Sequence, residues 1–350
     1  MSRGLTFWND DTIKLIKEKF VAASVPTWVC RAKSPEGEFL RGAGIHKQWV
    51  TSSGYMTCVS ASGKLLGRRP SKQVLEKFKE LPEEERKAGA IKVPDLKPSE
   101  RVIPSPPNGG LVLRVHARFL TLNPAGKLLP ATTADFPLMR AKPKVMRGWE
   151  KFLHPNTEYM WLTQAEWKSL IPSKPAKGQK VRVRSIIPER MARFHLTPKR
   201  ATTSEGGIVR KRAVRVAQMD LIVESVSPTN LRMRAEGQIH WGSDYDAKKA
   251  TSPNGPLRMG FESRLYGHLV YDRKMRRFTR FDLVASGWVW GRWGDANNRS
   301  MVIERPGRAP FGFALELATG DTPTDRIPPG GNGHYVSKRT GYFQSSKDDR

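Results

Sequence analysis

Two cysteines, Cys30 and Cys58, and seven histidines are where chemistry would have to start in this sequence of 350 residues. Two cysteines cannot build a disulfide scaffold or a four-cysteine zinc site. They do allow one redox pair, and Arg31 and Lys33 beside Cys30 would favour its thiolate. The plainer alternative is a pair of buried, inert thiols. The histidines (His46, His116, His154, His195, His240, His268 and His334) never fall at His-x-His or His-x-x-x-His spacing. The nearest metal-like group is His240, Asp244 and Asp246 beside a Gly-Ser turn. Oxygen-rich turns can take a cation, but loop acids are ordinarily just solvated, so no metal is expected. No nucleophile elbow, phosphate-binding loop or dinucleotide fingerprint is present, and no cofactor is expected. The glycine-rich run from 287 to 294 contains three tryptophans, which suit packing better than phosphate.

The most suggestive surface lies in the segment 278–290. Phe281, Leu283, Ala285, Gly287 and Val289 alternate with a mixed face that carries Arg280, Asp282, Trp288 and Trp290. Aromatics for apolar contact and a charged pair for orientation suit a ligand-binding face. The bland alternative is that helices around Trp161 and Trp167 cover the two tryptophans.

Charge suggests a different partner. Lys and Arg outnumber Asp and Glu by 28, and the sequence pI is near 10.4. Residues 180–215 hold eleven basic side chains against two acids. Arg182, Arg184, Arg190, Arg193, Arg210, Lys211, Arg212 and Arg215 are therefore candidates to neutralise phosphates. An anionic partner, nucleic acid or an acidic protein, would fit. A solubilising surface would have the same composition.

These residues need elements to hold them. Residues 9–20 read as a helix capped by Asn9, and residues 71–81 as a second, capped by Ser71. Residues 21–30 read as a strand and 55–66 as a hairpin turning at Gly63. Pro94, Pro98, Pro104, Pro106 and Pro107, then Asn108, Gly109 and Gly110, form a linker over 93–110. Beyond it, 111–122 alternates as a strand. Thr163 to Glu166 has capping-box spacing, and 188–194 reads as a short helix. Five strands follow over 213–226, 231–241, 259–271, 278–290 and 310–317, joined closely enough to be antiparallel. The tail, 319–350, is rich in Pro, Gly and charge and is expected to be loosely held. No run of 18 apolar residues occurs, so no membrane-spanning helix is expected. The first residues lack an apolar leader region. A cytoplasmic location is expected if Met1 is the native start, and an exported one if a leader has been removed.

The run Ser53-Gly54-Tyr55-Met56-Thr57, followed by Gly63-Lys64, resembles the thioredoxin-like pattern Gly-Tyr-Pro-Thr, strand, Asp-Gly-Lys. The resemblance covers about the first 90 residues and makes 71–81 that fold's last helix. Met56 stands where the family has its cis-proline, and no Cys-x-x-Cys exists, so the resemblance implies a redox-degenerate domain. More widely, the chain is similar to a family of uncharacterised bacterial proteins with such a front and a β-rich back. Phe7-Trp8, Gly63 to Gly67, Leu81 to Arg86, Arg193 to Leu196 and Phe278 to Ala285 carry that similarity. It implies a layout and no activity.

The expected architecture is α+β. A thioredoxin-like domain spans 1–92, a linker 93–110, and an antiparallel half-barrel or sandwich 111–318, with the tail after it. The expected role is a non-catalytic binding or interaction protein. Nucleic-acid binding through 180–215 is the alternative, and thiol-redox work by Cys30 and Cys58 comes after it.

Overall fold

The computed structural model describes residues 10–23, 35–45, 57–68, 70–87, 105–136, 153–198, 208–247, 259–291, 307–320, 323–330, 336 and 341–344. Cys30, Met56, most of the 21–30 segment and residues 93–104 of the linker lie outside them. The chain divides into two compact units, Met1–Ile103 with Arg147–Lys151, and Pro104–Met146 with Phe152–Arg350.

The first unit contains helices α1 (Asp10–Lys19) and α2 (Pro35–Gly42), then strands β1 (Cys58–Val59) and β2 (Leu65–Gly67), then helices α3 (Lys72–Lys79) and α4 (Glu83–Arg86). The two strands are antiparallel. Gly63 sits in their turn at φ +80°, a conformation that favours glycine. Ser71 caps α3 by accepting from Val74 N at 3.3 Å, as its sequence position predicts. Cys58, Leu66, Val74 and Leu81 make one small core, joined by Phe20 and Phe78.

The second unit is built on one nine-stranded antiparallel sheet. Its strands are β3 (Leu111–Leu122), β4 (Leu128–Pro130), β5 (Asn156–Leu162), β6 (Lys180–Arg182), β7 (Val214–Val226), β8 (Asn230–Gly242), β9 (Gly260–Asp272), β10 (Arg277–Trp290) and β11 (Ala309–Leu317). From β6 the order runs β7, β8, β9, β10, β11, β3, and β4 and β5 share the far edge of β3. The long strands alternate as their sequences require: Phe281, Leu283 and Ala285 of β10 are buried while Arg280 and Val284 are exposed. Phe119, Phe261, Phe311 and Phe313 meet edge-on or tilted in the core at 5.0–6.5 Å. Burying each is worth roughly 1.5–3 kcal/mol. Close strand approach needs glycine at the inner positions: a Cβ on Gly287 would lie 1.8 Å from the Glu262 carbonyl oxygen.

Strand β5 was not expected. Residues Glu158 to Leu162 are all buried, so both faces are covered and the period-two signal vanishes. Helix α5 (Gln164–Lys168) starts at the Thr163–Glu166 capping box. Helix α6 (Ile186–Arg190) runs into a single π turn, Met191–His195, closed by Leu196 N donating to Met191 O at 2.7 Å. That turn belongs under the sheet: Trp241 Nε1 of β8 donates to Leu196 O at 3.0 Å. Two described residues of the tail are firmly held. Asp325 and Tyr342 are both 2% exposed. Asp325 accepts two hydrogen bonds from the fork of Arg114, at 2.9 and 3.0 Å. No helix among the described residues is long and apolar enough to cross a membrane.

Candidate functional site

Among the described residues of the second unit, two polar clusters are each built around an arginine that lies over aromatic rings. The first is sealed. His195, fully buried at the end of the π turn, shares Nδ1 with Glu158 Oε1 of β5 at 2.7 Å and Nε2 with the Tyr342 hydroxyl at 2.8 Å. That hydroxyl also accepts from Trp161 N at 3.0 Å. Arg190 completes the assembly. It donates to the Tyr342 carbonyl at 2.6 Å and the Trp161 carbonyl at 3.1 Å, and forks onto Glu166. Its guanidinium also lies over the Tyr342 and Phe343 rings, 4.8 and 5.2 Å from their centres. Burial alone would raise the Glu166 carboxyl. The bonds and charge of Arg190, with the Thr163 cap, overcome this and hold it below the usual carboxylate range. Burial pushes the Tyr342 phenol well up, so it stays neutral.

The second cluster is a corner on the outer face of the sheet. Register places His240 of β8, Glu262 of β9, Trp288 of β10 and Pro310 of β11 in one row. Trp290, two residues on, points the same way. Its ring lies across Gly260, where a Cβ would come within 2.5 Å of it, and its Nε1 donates to Ser243 O at 3.1 Å. Tyr245 packs edge-on against Trp290 at 5.8 Å, and His240 tilts against it at 6.1 Å. Into this corner comes Arg308, one residue before β11. Its guanidinium carbon lies 5.3 Å over Tyr245, 5.4 Å over Trp288 and 5.7 Å over Trp290. It also forms an ion pair with Glu262. Arg215 closes the rim, with Nη1 on Asp244 at 3.1 Å and Nε on Gly242 O at 2.8 Å. Burial lowers the His240 imidazole, Arg215 adds to this, and Asp244 opposes it.

The residues nominated from sequence are thereby redistributed. Trp288 and Trp290 stand together in the corner. Arg280 and Asp282 form their own half-exposed ion pair at 2.5 Å, about 20–26 Å back along the strand from Trp288 at 3.3 Å per residue. The expected helical cover is corrected: Trp161 lies on β5, and Trp167 packs on Phe278 at 6.0 Å. Tyr245, His240 and Arg308 do the covering instead. The basic stretch also divides. Arg190 and Arg193 are buried, and Arg193 donates to Val209 O at 3.3 Å, so neither reaches a phosphate. Arg182 pairs with Asp220 at 2.8 Å and Arg215 with Asp244. Arg184, Arg210 and Arg212 are exposed, and Lys211 is half-buried. Cys58 is a buried free thiol, pushed up to about 11 by desolvation. His240 lies 3.9 Å from Asp244 across the Gly-Ser turn, and no group of three metal-ligating side chains is gathered among the described residues.

No protein-family model and no curated protein matches this sequence. A chain of Aeromonas hydrophila ExeD aligns with it at 8% identity and a TM-score of 0.15, over 88% of this chain. This chain spans 62% of that one's length, and no argument rests on so slight a likeness.

Sequence reasoning missed Glu262, Tyr245 and Arg308 in the corner, and Glu158, Glu166 and Tyr342 in the sealed network. Glu262 was within reach, because alternation along β9 places it outward. Arg308 had no local signal. It joins the corner only through the pairing of β11 with β10.

Proposed function

We propose that this chain is a non-catalytic binding protein and that the Trp288–Arg308 corner is its site. One observation supports this above the rest: three aromatic rings and a carboxylate gather around one guanidinium at the protein surface. The constellation with the residue types of acid–base chemistry, Glu158, His195 and Tyr342, is closed to substrate and engaged in holding the chain together. Thermal unfolding with cationic, anionic and neutral small compounds tests the proposal. A ligand that prefers the folded state raises Tm by mass action. At least one class should do so saturably in the wild type and not in Trp288→Ala. The reading is overturned if no class acts, or if the variant responds like the wild type.

A second reading, an anionic partner, keeps support from the exposed Arg184, Arg210 and Arg212. Binding to random-sequence DNA would then weaken steeply with salt. Replacing Arg210, Lys211 and Arg212 with Ala would lower the slope by up to about three units. For the first unit, the thioredoxin-like reading takes support from the order hairpin, then α3. Its redox-degenerate character takes support from the buried Cys58, whose raised thiol suits an inert cysteine. A thiol titration that labels Cys58 only after denaturation is the expected result.

A further inference from the structure

The corner has the composition of a receptor for a cation, and the chain supplies the cation itself. Tyr245, Trp288 and Trp290 each place the Arg308 guanidinium within 6 Å over a ring, and Glu262 neutralises it. Stacked rings with a carboxylate beside them recognise large, weakly hydrated cations, above all methylated ammonium groups. Arg308 is not walled in: its side chain is 34% exposed and that of Glu262 40%. Exposed ion pairs of this kind bind weakly. The rings are fixed more firmly than their occupant. Trp290 is 2% exposed and hydrogen-bonded to Ser243, and Trp288 is registered between Glu262 and Pro310.

Resting on the binding reading above, we infer that the corner is a site for a methylated ammonium group and that Arg308 is its internal placeholder. The ligand's ammonium takes the space among the three rings and pairs with Glu262, while Arg308 swings outward into solvent. While Arg308 fills the cage only a fraction of molecules is competent, so apparent affinity is reduced by that fraction. Removing the placeholder therefore tightens binding.

Tryptophan fluorescence under titration with choline tests this, with 3,3-dimethylbutan-1-ol as the uncharged isostere and sodium chloride as the ionic-strength control. Choline should quench saturably and the isostere should not. Arg308→Ala should bind choline about tenfold more tightly. Trp288→Ala or the milder Trp288→Leu, each in the Arg308→Ala background, should abolish the response, and Glu262→Gln should weaken it. A trimethyllysine peptide titrated in parallel distinguishes a protein-borne group from a free amine: tighter binding of the peptide assigns the former, tighter binding of choline the latter. The inference is overturned if Arg308→Ala shows no saturable response to either cation, or responds equally to the isostere. Because Trp288→Ala also serves in the broader compound panel, the two failures are separable. Loss of the choline response with a retained Trp288-dependent shift from another class removes the ammonium assignment and leaves the binding reading standing.

Discussion

Arg190 and Arg308 have the same chemistry in opposite surroundings. Each pairs with a glutamate and lies over aromatic rings. The side chains of Arg190 and Glu166 are 1% and 6% exposed; those of Arg308 and Glu262 are 34% and 40% exposed. Where water is excluded, every donor of the guanidinium fork must find an acceptor, and Arg190 finds Glu166 and two backbone carbonyls. Those carbonyls belong to β5 and to the tail, so the arginine fixes where distant segments meet. Where water reaches, the same pair is held weakly and can be exchanged. The sealed cluster therefore helps to set the fold, and the corner is where the proposed recognition would take place.

The sharpest way to break this contrast is Arg190→Ala. It strands Glu166 as an uncompensated buried carboxylate, which typically costs about 3–5 kcal/mol. Urea unfolding should show a midpoint shift of that size. A loss below about 1 kcal/mol would mean that water enters the cluster and the two regions do not differ in kind. Tyr342→Phe is gentler. It keeps the ring against Phe194 and removes the hydroxyl shared by His195 Nε2 and Trp161 N. Leaving such a buried group unpaired costs about 1–3 kcal/mol. The same variant tests whether the tail is a structural part of this unit: limited proteolysis should then cut near 341–344 sooner than in the wild type.

How much of this was legible in the sequence follows the same division. Strands β7 to β11 were readable because one face meets a core and the other meets solvent, so polarity alternates at period two. Strand β5 has both faces covered and carries no such alternation. Composition could not separate Arg190 and Arg193 from Arg210 and Arg212, since a count of charges contains no information on burial. Asp325 and Tyr342 lie outside any strand, in a stretch rich in Pro and Gly, so no period marks them as buried. In the corner the two tryptophans were visible as an oddity on the outer face of β10. Their partners come from three other stretches and are united only by strand register.

Arg308→Ala should cost little: about 0–1 kcal/mol for the exposed pair, with a comparable amount from the ring contacts. Its midpoint shift should be several times smaller than that of Arg190→Ala, and salt should diminish it further. A shift as large as that of Arg190→Ala would make Arg308 a structural keystone and the corner an extension of the fold.

The smallest effect should come from protons at the corner. His240 faces Asp244, Arg215 and the Trp290 ring, and burial lowers its imidazole below the ordinary value, with Arg215 adding to this and Asp244 working against it. In the window between the lowered value and the ordinary value near 6.5, the unfolded chain binds this proton and the folded chain does not. Stability from His240 is therefore fully present above about pH 6.5 and is lost as pH falls through the lowered value. His240→Asn removes the titration, so the difference in unfolding midpoint between wild type and variant should shrink as pH falls through that window. Subtracting the variant also cancels every ionisation that the two proteins share. A difference that grows on acidification instead would mean that the folded protein prefers the charged imidazole. Asp244 would then outweigh both burial and Arg215, and the corner would hold a second cation beside Arg308.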